Sequence, residues 1–267
     1  MTGIIHKIGV FDSGLGGLTV LNEICKYNKG LEIIYFGDTA RVPYGSRTAE
    51  TIGHYADQDV RFLLSHGVEA IVIACGTVSA TCLERLQRRY RIPLIGVIEP
   101  AAKLAASVTK TGHVGVIGTK ATIKSEAYTK EIHNVDPKIL VSGIACPLFV
   151  PLIENGFSKD DPIVRLTIEK YLADLQSSDI DTLILGCTHY PFLTDTIHEL
   201  LPRIQLINIG TVLAKQLPQF FPLSEESSDN IVSYYVSDPD TDFQSIANAS
   251  LDTIRAELVE KINIEQY

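Results

Sequence analysis

The sequence has 267 residues, of which 45% are apolar and 21% are charged, a composition typical of a globular protein with a large core. Its net charge of −9 excludes nucleic acid as a main partner, because phosphate binding needs a basic surface. No apolar run approaches the ~20 residues that span a bilayer, which excludes a membrane protein. The five cysteines are an odd number without metal-binding spacing, so we expect free thiols, no metal and a cytoplasmic location.

Strand and helix patterns alternate along the whole chain. Short runs of β-branched and aliphatic residues predict strands, and apolar residues at helical spacing predict helices over 48–65 and 77–90. Because strands that alternate with helices form parallel sheets covered on both faces, the predicted fold class is α/β. A polar stretch at 224–230 is typical of a solvated loop. The predicted strands are 7–11, 32–36, 69–74, 93–97, 113–117, 138–141, 181–186, 204–208 and 231–236.

The two halves of the chain resemble each other. Each half opens with a strand that contains a central glycine, Gly9 or Gly115, and each continues to an apolar strand that ends at a cysteine, Cys75 or Cys187. We therefore predict two pseudo-symmetric lobes, each a mostly parallel sheet flanked by helices. The first lobe is expected to comprise 1–97 plus 209–267, and the second 98–208.

The two strand-end cysteines, Cys75 and Cys187, are candidate reactive groups. Ligands in open α/β sheets gather at the carboxyl ends of the strands. A helix is expected to begin at each cysteine, and a helix N-terminus stabilises the reactive thiolate. Two thiols presented in this way can face one small molecule from opposite sides. The remaining cysteines, Cys25, Cys82 and Cys146, are interpreted as packing residues.

Polar residues in four segments complete the set of candidates. Asp12 ends the first strand, and the glycine-rich loop 13–17 either forms an ordinary turn or brings backbone N–H groups to a small anion. The Pro-Tyr-Gly turn 43–45 is either a rigid surface turn or a set of donors for a carboxylate. His189 lies two residues after the second strand-end cysteine, and Glu154 is expected in a loop. Either side chain can hold or relay a proton.

Five short segments together resemble the glutamate racemases, in order along residues 7–210. The resemblance implies two α/β lobes with the active site at their interface. It also implies a PLP-independent amino-acid racemase that needs no cofactor, acts on glutamate, and supplies D-glutamate for peptidoglycan. We further expect a homodimer, because lobes that open and close leave exposed clefts. The segments are 12–20, 43–45, 74–75, 96–100 and 186–191.

The same resemblance implies roles for individual residues. Cys75 and Cys187 match the two catalytic cysteines, one on each face of the substrate Cα, so that one removes a proton and the other returns one. Asp12, His189 and Glu154 match auxiliary acid–base groups. The expected substrate-binding residues are Ser13, Pro43, Tyr44, Gly45, Gly76, Thr77, Thr119, Thr122 and Thr188.

Gly76 departs from the pattern of that family, which usually has asparagine after the first cysteine. Loss of a hydrogen bond to a charged ligand costs roughly 1.5–3 kcal/mol, or about ten- to a hundredfold in affinity. Two alternatives therefore stay open, a racemase of altered specificity (aspartate or broad) and a non-catalytic binding homologue. Retention of both cysteines with Asp12 and His189 argues against the binding homologue, since a binder needs no paired thiols.

Overall fold

Two parallel sheets form the framework of the computed structural model, which describes residues 3–223, 228–239 and 258–267. In the larger sheet the strand order is β10-β9-β2-β1-β3-β4, and in the smaller one it is β6-β5-β7-β8. The first residues of the predicted loop 224–230 lie outside the described residues. The strands are β1 (Lys7–Asp12), β2 (Glu32–Gly37), β3 (Ala70–Ile73), β4 (Leu94–Gly96), β5 (His113–Gly118), β6 (Leu140–Ala145), β7 (Thr182–Leu185), β8 (Gln205–Asn208), β9 (Ile231–Val236) and β10 (Val259–Lys261).

Helices follow nearly every strand and cover both faces of the sheets. Among the helices of the described ranges, none combines the length and apolarity that crossing a membrane requires. The α-helices are α1 (Gly17–Tyr27), α2 (Ala49–Ser65), α3 (Gly76–Thr81), α4 (Leu83–Arg89), α5 (Ile98–Val108), α6 (Lys120–Lys124), α7 (Ala127–Val135), α8 (Phe149–Glu154), α9 (Pro162–Leu172), α10 (Thr194–Leu200) and α11 (Ile209–Phe220).

The internal repeat is visible in the strand order. The run β2-β1-β3-β4 of the first sheet corresponds to β6-β5-β7-β8 of the second, and all pairings in both sheets are parallel. The predicted fold class, α/β with two mostly parallel sheets, is confirmed. Strand β9 pairs with β2, so the chain returns to the first sheet after α11.

One apolar core joins the two sheets. Helices α1 and α11 pack together, α11 packs on α5, and α5 packs on α7. Apolar side chains from both halves are buried in this cluster, among them Val20 and Val114. The residues after β1 and β3 lie against the residues after β7. This arrangement positions the candidate site.

Three local predictions were wrong. The strand predicted at 138–141 lies at Leu140–Ala145, because this edge strand is only half-buried and its apolar pattern is weak. The helix predicted over 77–90 is two helices, interrupted at Cys82, whose φ of −130° is not helical. Thr81 contributes to the break, since its hydroxyl bonds back to the carbonyl of Thr77, a contact that bends helices. Glu154 ends helix α8 instead of lying in a loop.

Candidate active site

Cys75 lies two residues beyond the end of β3 and directly precedes helix α3. Its side chain is buried, and its Sγ lies 3.6 Å from the Oγ of Ser13 on the neighbouring loop. Burial raises the pKa of the Cys75 thiol, and the charge of Asp12 raises it further. The pKa shift therefore favours the neutral thiol at Cys75.

Cys187 occupies the equivalent position after β7, but no α-helix begins there. A 3₁₀ turn at Tyr190–Leu193 comes next, and α10 starts only after it, so the prediction of a helix N-terminus at Cys187 was wrong. The group beside the sulfur is instead the side chain of a histidine. The Nδ1 of His189 lies 3.7 Å from the Sγ of Cys187. A protonated imidazole at this distance stabilises negative charge on the sulfur.

His189 is held between Cys187 and Glu154. Its Nε2 lies 2.5 Å from the Oε1 of Glu154. Burial alone lowers the pKa of His189, but the hydrogen bonds to Cys187 and Glu154, together with their negative charges, raise it well above its usual value. The same Glu154 oxygen accepts the backbone N–H of Leu15 at 3.3 Å. The carboxylate thus contacts the imidazole and the glycine-rich loop of the other sheet at once.

Asp12 is fully buried at the end of β1. One carboxylate oxygen accepts the N–H of Gly14 at 3.0 Å, and the other accepts the hydroxyl of Thr188 at 3.2 Å. Burial raises the pKa of Asp12 to about 6, although the positive charge of His189 opposes the shift. Such a carboxyl can both accept and donate a proton near neutral pH.

Three threonines form a row that links the two sheets. The hydroxyls of Thr77 and Thr119 lie 3.0 Å apart, and those of Thr119 and Thr122 also lie 3.0 Å apart. Thr119 caps helix α6, because its Oγ1 accepts the N–H of Thr122. A further link is the hydroxyl of Thr19, which donates to the carbonyl of Thr188 at 2.8 Å.

Two glycines allow the close approach of the two strand ends. A Cβ at Gly16 would lie 2.3 Å from the hydroxyl oxygen of Thr188. A Cβ at Gly76 would lie 2.5 Å from the carbonyl oxygen of Gly186, next to Cys187. Real Cβ atoms essentially never come this close to other atoms. A side chain at position 76 therefore requires the main chain at Gly186 or at the start of α3 to shift.

The Pro-Tyr-Gly turn lies at the same junction, but the side chain of Tyr44 is engaged elsewhere. Its hydroxyl donates to the carboxylate of Asp38 and lies 3.2 Å from Asp59. The peptide bond before Pro43 in this turn is cis. The sequence analysis missed Asp38 and Asp59. Asp38 had a recognisable signal, because it follows β2 directly, much as Asp12 ends β1.

The structure brings most of the candidate residues together. Asp12, Glu154, His189 and Thr188 form one continuous set of contacts with Cys187, while Cys75 contacts Ser13. The other cysteines are buried free thiols, and burial raises the pKa of Cys25 and Cys146 to about 12. Within the described ranges, no group of three or more His, Cys, Asp or Glu side chains could hold a metal ion.

Comparisons with known proteins show which family the chain belongs to. The profile of the family described as Asp/Glu/Hydantoin racemase matches residues 15–217. The glutamate racemase of Geobacter metallireducens is 44% identical over 252 residues, which cover 91% of this chain and 92% of the relative. The chain belongs to the glutamate racemase family. The glutamate racemase of Sulfurihydrogenibium sp. is 41% identical over 95% of this chain and 96% of its own length.

Solved structures of the glutamate racemase family have the same fold. The enzyme from Francisella tularensis, solved in complex with D-glutamate, superposes with a TM-score of 0.89 at 37% identity, covering 98% of this chain and 99% of its own. The enzyme from Thermus thermophilus, solved in complex with β-chloro-D-alanine, gives a TM-score of 0.86 at 39% identity, with 98% of both chains covered.

Proposed function

We propose that this protein interconverts L- and D-glutamate without a cofactor, by proton transfer between the substrate Cα and two thiols. The observation that carries the proposal is the placement of Cys75 and Cys187 at equivalent strand ends of two repeated sheets, which close contacts hold together. Family membership supports the same reaction, since the relatives are glutamate racemases. Removal of a proton from one face of Cα and delivery to the other needs two opposed groups.

The environments of the two thiols support different resting states. Cys75 is a neutral thiol, because burial and Asp12 raise its pKa. Cys187 lies beside His189, which carries a proton because the pKa of the imidazole is raised. In this state the Cys187 thiolate removes the Cα proton, and the Cys75 thiol delivers its own proton to the opposite face. The products are a Cys187 thiol, a Cys75 thiolate and the inverted amino acid.

Asp12 and the Glu154–His189 pair are placed to return protons after each turnover. Asp12, with a pKa of about 6, is the carboxyl whose charge acts on Cys75, and His189 contacts the other sulfur directly. In our proposal these groups restore one thiol and one thiolate. The direction of the next reaction follows from which sulfur carries the proton.

The carbanion formed at Cα is costly, so donors to the substrate carboxylates must be in place beforehand. Hydroxyl groups and main-chain N–H groups surround the two thiols and can supply them. In the proposal these donors fix the α- and side-chain carboxylates, and water is excluded by closure of the lobes. The proposed substrate-binding residues are Ser13, Pro43, Tyr44, Gly45, Gly76, Thr77, Thr119, Thr122 and Thr188.

The cellular role follows from the reaction. We propose that the enzyme supplies D-glutamate for peptidoglycan in the cytoplasm, and five free cysteines support a reducing compartment. A homodimer and the lobe limits 1–97 plus 209–267 and 98–208 are part of the proposal. Sedimentation of the purified chain tests the first, and expression of residues 98–208 alone tests the second.

The decisive experiment is a coupled assay of D-glutamate to L-glutamate conversion by the purified protein without added cofactor. We expect conversion in both directions, and Cys146→Ala serves as the control for loss of an unrelated buried thiol. Absence of conversion with glutamate still bound would contradict the proposal and favour a binding protein. A higher kcat/KM for aspartate than for glutamate would contradict the proposed substrate.

A further inference from the structure

The hydroxyl of Tyr44 anchors the 43–45 turn to two aspartates of the protein interior. Tyr44 is buried, and its hydroxyl donates to the carboxylate of Asp38, with a carboxyl oxygen of Asp59 at 3.2 Å on its other side. Both aspartates are completely buried. The side chain of Tyr44 therefore fixes the position of the turn, and its hydroxyl is already used by the protein itself.

One guanidinium group balances these buried carboxyls. The Nε of Arg41 lies 2.6 Å from Asp38, and its Nη2 lies 3.5 Å from Asp59. The other carboxylate oxygen of Asp38 has no hydrogen-bond partner among the described residues. A buried carboxylate is costly without a cation beside it. The position of Arg41 therefore determines how well Asp38 and Asp59 are stabilised. The face of the guanidinium also stacks on Tyr55, 4.1 Å from the ring centre.

Arg41 is oriented by a segment more than 200 positions away in the sequence. Its Nη1 donates to Gln58 at 2.6 Å and to Glu265 at 3.3 Å. The amide of Gln58 in turn donates to the main-chain carbonyl of Ile264 and to Glu265, each at 3.4 Å. Ile264 is buried in the same apolar cluster as Tyr44. Segment 259–267, which includes β10, therefore packs directly against the supports of the turn.

The opposite side of the turn faces the candidate site. A Cβ at Gly45 would lie 2.4 Å from the Cβ of Thr119, the residue whose hydroxyl meets that of Thr77. Val42 also lies close to the glycine-rich loop, since a Cβ at Gly14 would be 3.1 Å from its Cγ2. Any shift of the turn is therefore transmitted to Thr119 and to the glycine-rich loop 13–17. That loop contacts Cys75 through Ser13 and Glu154 through the N–H of Leu15.

We propose that segment 259–267 holds the 43–45 turn in its substrate-binding position, through a set of contacts that we name the loop brace. This proposal rests on the proposed racemase function, because it assigns the brace to the affinity for glutamate. Tyr44 is then a positioning residue whose side chain acts through the main chain of the turn. The loop brace consists of Asp38, Arg41, Tyr44, Gln58, Asp59, Ile264 and Glu265.

The test compares the full protein with Tyr44→Phe, with a deletion of residues 264–267, and with both changes combined. Each single change is expected to raise the KM for glutamate about tenfold, the effect of one lost hydrogen bond to a charged group, with kcat changed less than threefold. The combination should raise KM no further, because both changes break one support. Glu265→Gln should raise KM about threefold, and its matched control in the same segment, Glu260→Gln, should leave KM unchanged.

Each of four results would overturn the brace. One is an unchanged KM in the deletion variant, and another is a combined effect near a hundredfold, which would show that the two changes act independently. A lower kcat at constant KM would indicate partial unfolding alone. Hydrogen exchange at the amides of 44–47 gives a readout that does not need activity. Faster exchange in the deletion variant supports the brace even if the wild type fails to racemise glutamate, and unchanged exchange overturns it.

Discussion

Placing a side chain at position 76 adds atoms at the narrowest contact between the two sheets. The Cβ of an alanine there would lie 2.5 Å from the carbonyl oxygen of Gly186, and ordinary contact begins at 3.4 Å. Gly186 or the start of α3 must therefore move by roughly 0.9 Å. Gly186 has little room to retreat, because its own Cβ position is 2.6 Å from the carbonyl oxygen of Ile117 and 3.0 Å from Tyr128.

This displacement acts directly beside both thiols, because Gly76 follows Cys75 and Gly186 precedes Cys187. Overpacking of this kind costs about 1–3 kcal/mol of stability, and a 1 Å misplacement of a catalytic group can cost about a hundredfold in rate. We expect Gly76→Ala to lower kcat for glutamate ten- to a hundredfold. Gly76→Asn places an amide beside Cys75, but its Cβ requires the same displacement of the main chain. We therefore expect its kcat/KM to be at least tenfold below that of the wild type.

The assay measures kcat and KM for D-glutamate together with urea unfolding of each variant. Gly143→Ala is the control, because Gly143 lies exposed on the edge strand β6 and the new methyl group would be 3.1 Å from the side chain of Ile123. A kcat/KM for Gly76→Asn equal to or above that of the wild type would refute the reasoning. It would show that the missing amide, and not the space between the sheets, is what matters at this position.

Three further predictions follow from the site. Cys75→Ala and Cys187→Ala should each lower racemisation more than a thousandfold, measured by the coupled assay with circular dichroism as the folding control. Asp12→Asn should gain stability over the wild type as pH rises from 4 to 8, by up to about 3 kcal/mol in urea unfolding. The raised pKa means that the contribution of Asp12 to stability is present below its unfolded pKa of about 3.9 and is lost as pH rises through about 6. Glu154→Gln should move the alkaline limb of the kcat/KM profile to lower pH, because the Glu154 charge helps to raise the pKa of His189.

Each prediction has a contradictory outcome. Full activity in either cysteine variant would exclude the two-thiol mechanism. A stability difference between Asp12→Asn and the wild type that does not change with pH would show that the carboxyl titrates alike in the folded and unfolded chains. An alkaline limb of Glu154→Gln that stays in place, or moves to higher pH, would show that His189 does not set it.

Much of the framework could be predicted from local sequence patterns. The apolar runs that end at Cys75 and Cys187 marked the two buried strands, and Gly9 and Gly115 marked the repeat that the matching strand orders confirm. The half-exposed strand β6 was misplaced because period-two alternation is weak where neither face is fully buried. The alternation of apolar and polar residues depends on one fully buried face, and β6 has no such face.

Contacts between distant segments could not be predicted in this way. The loop brace joins Arg41 to Glu265 across 224 positions, and single charged residues carry no pattern that would pair them. Gly76 is a second case, since the identity of this residue alone indicated only a missing hydrogen-bond donor to the substrate. Only the position of the Gly186 carbonyl shows that a side chain there would require the main chain to move.

Proton transfer by two opposed thiols is tested most directly by racemisation in deuterated water, followed by mass analysis of both glutamate enantiomers at early times. The account predicts that the product gains deuterium at Cα while the remaining substrate stays protiated, because Cys75 and Cys187 deliver and remove different protons. Product that keeps the original proton would contradict it. That result would require one base that carries the same proton from one face of Cα to the other.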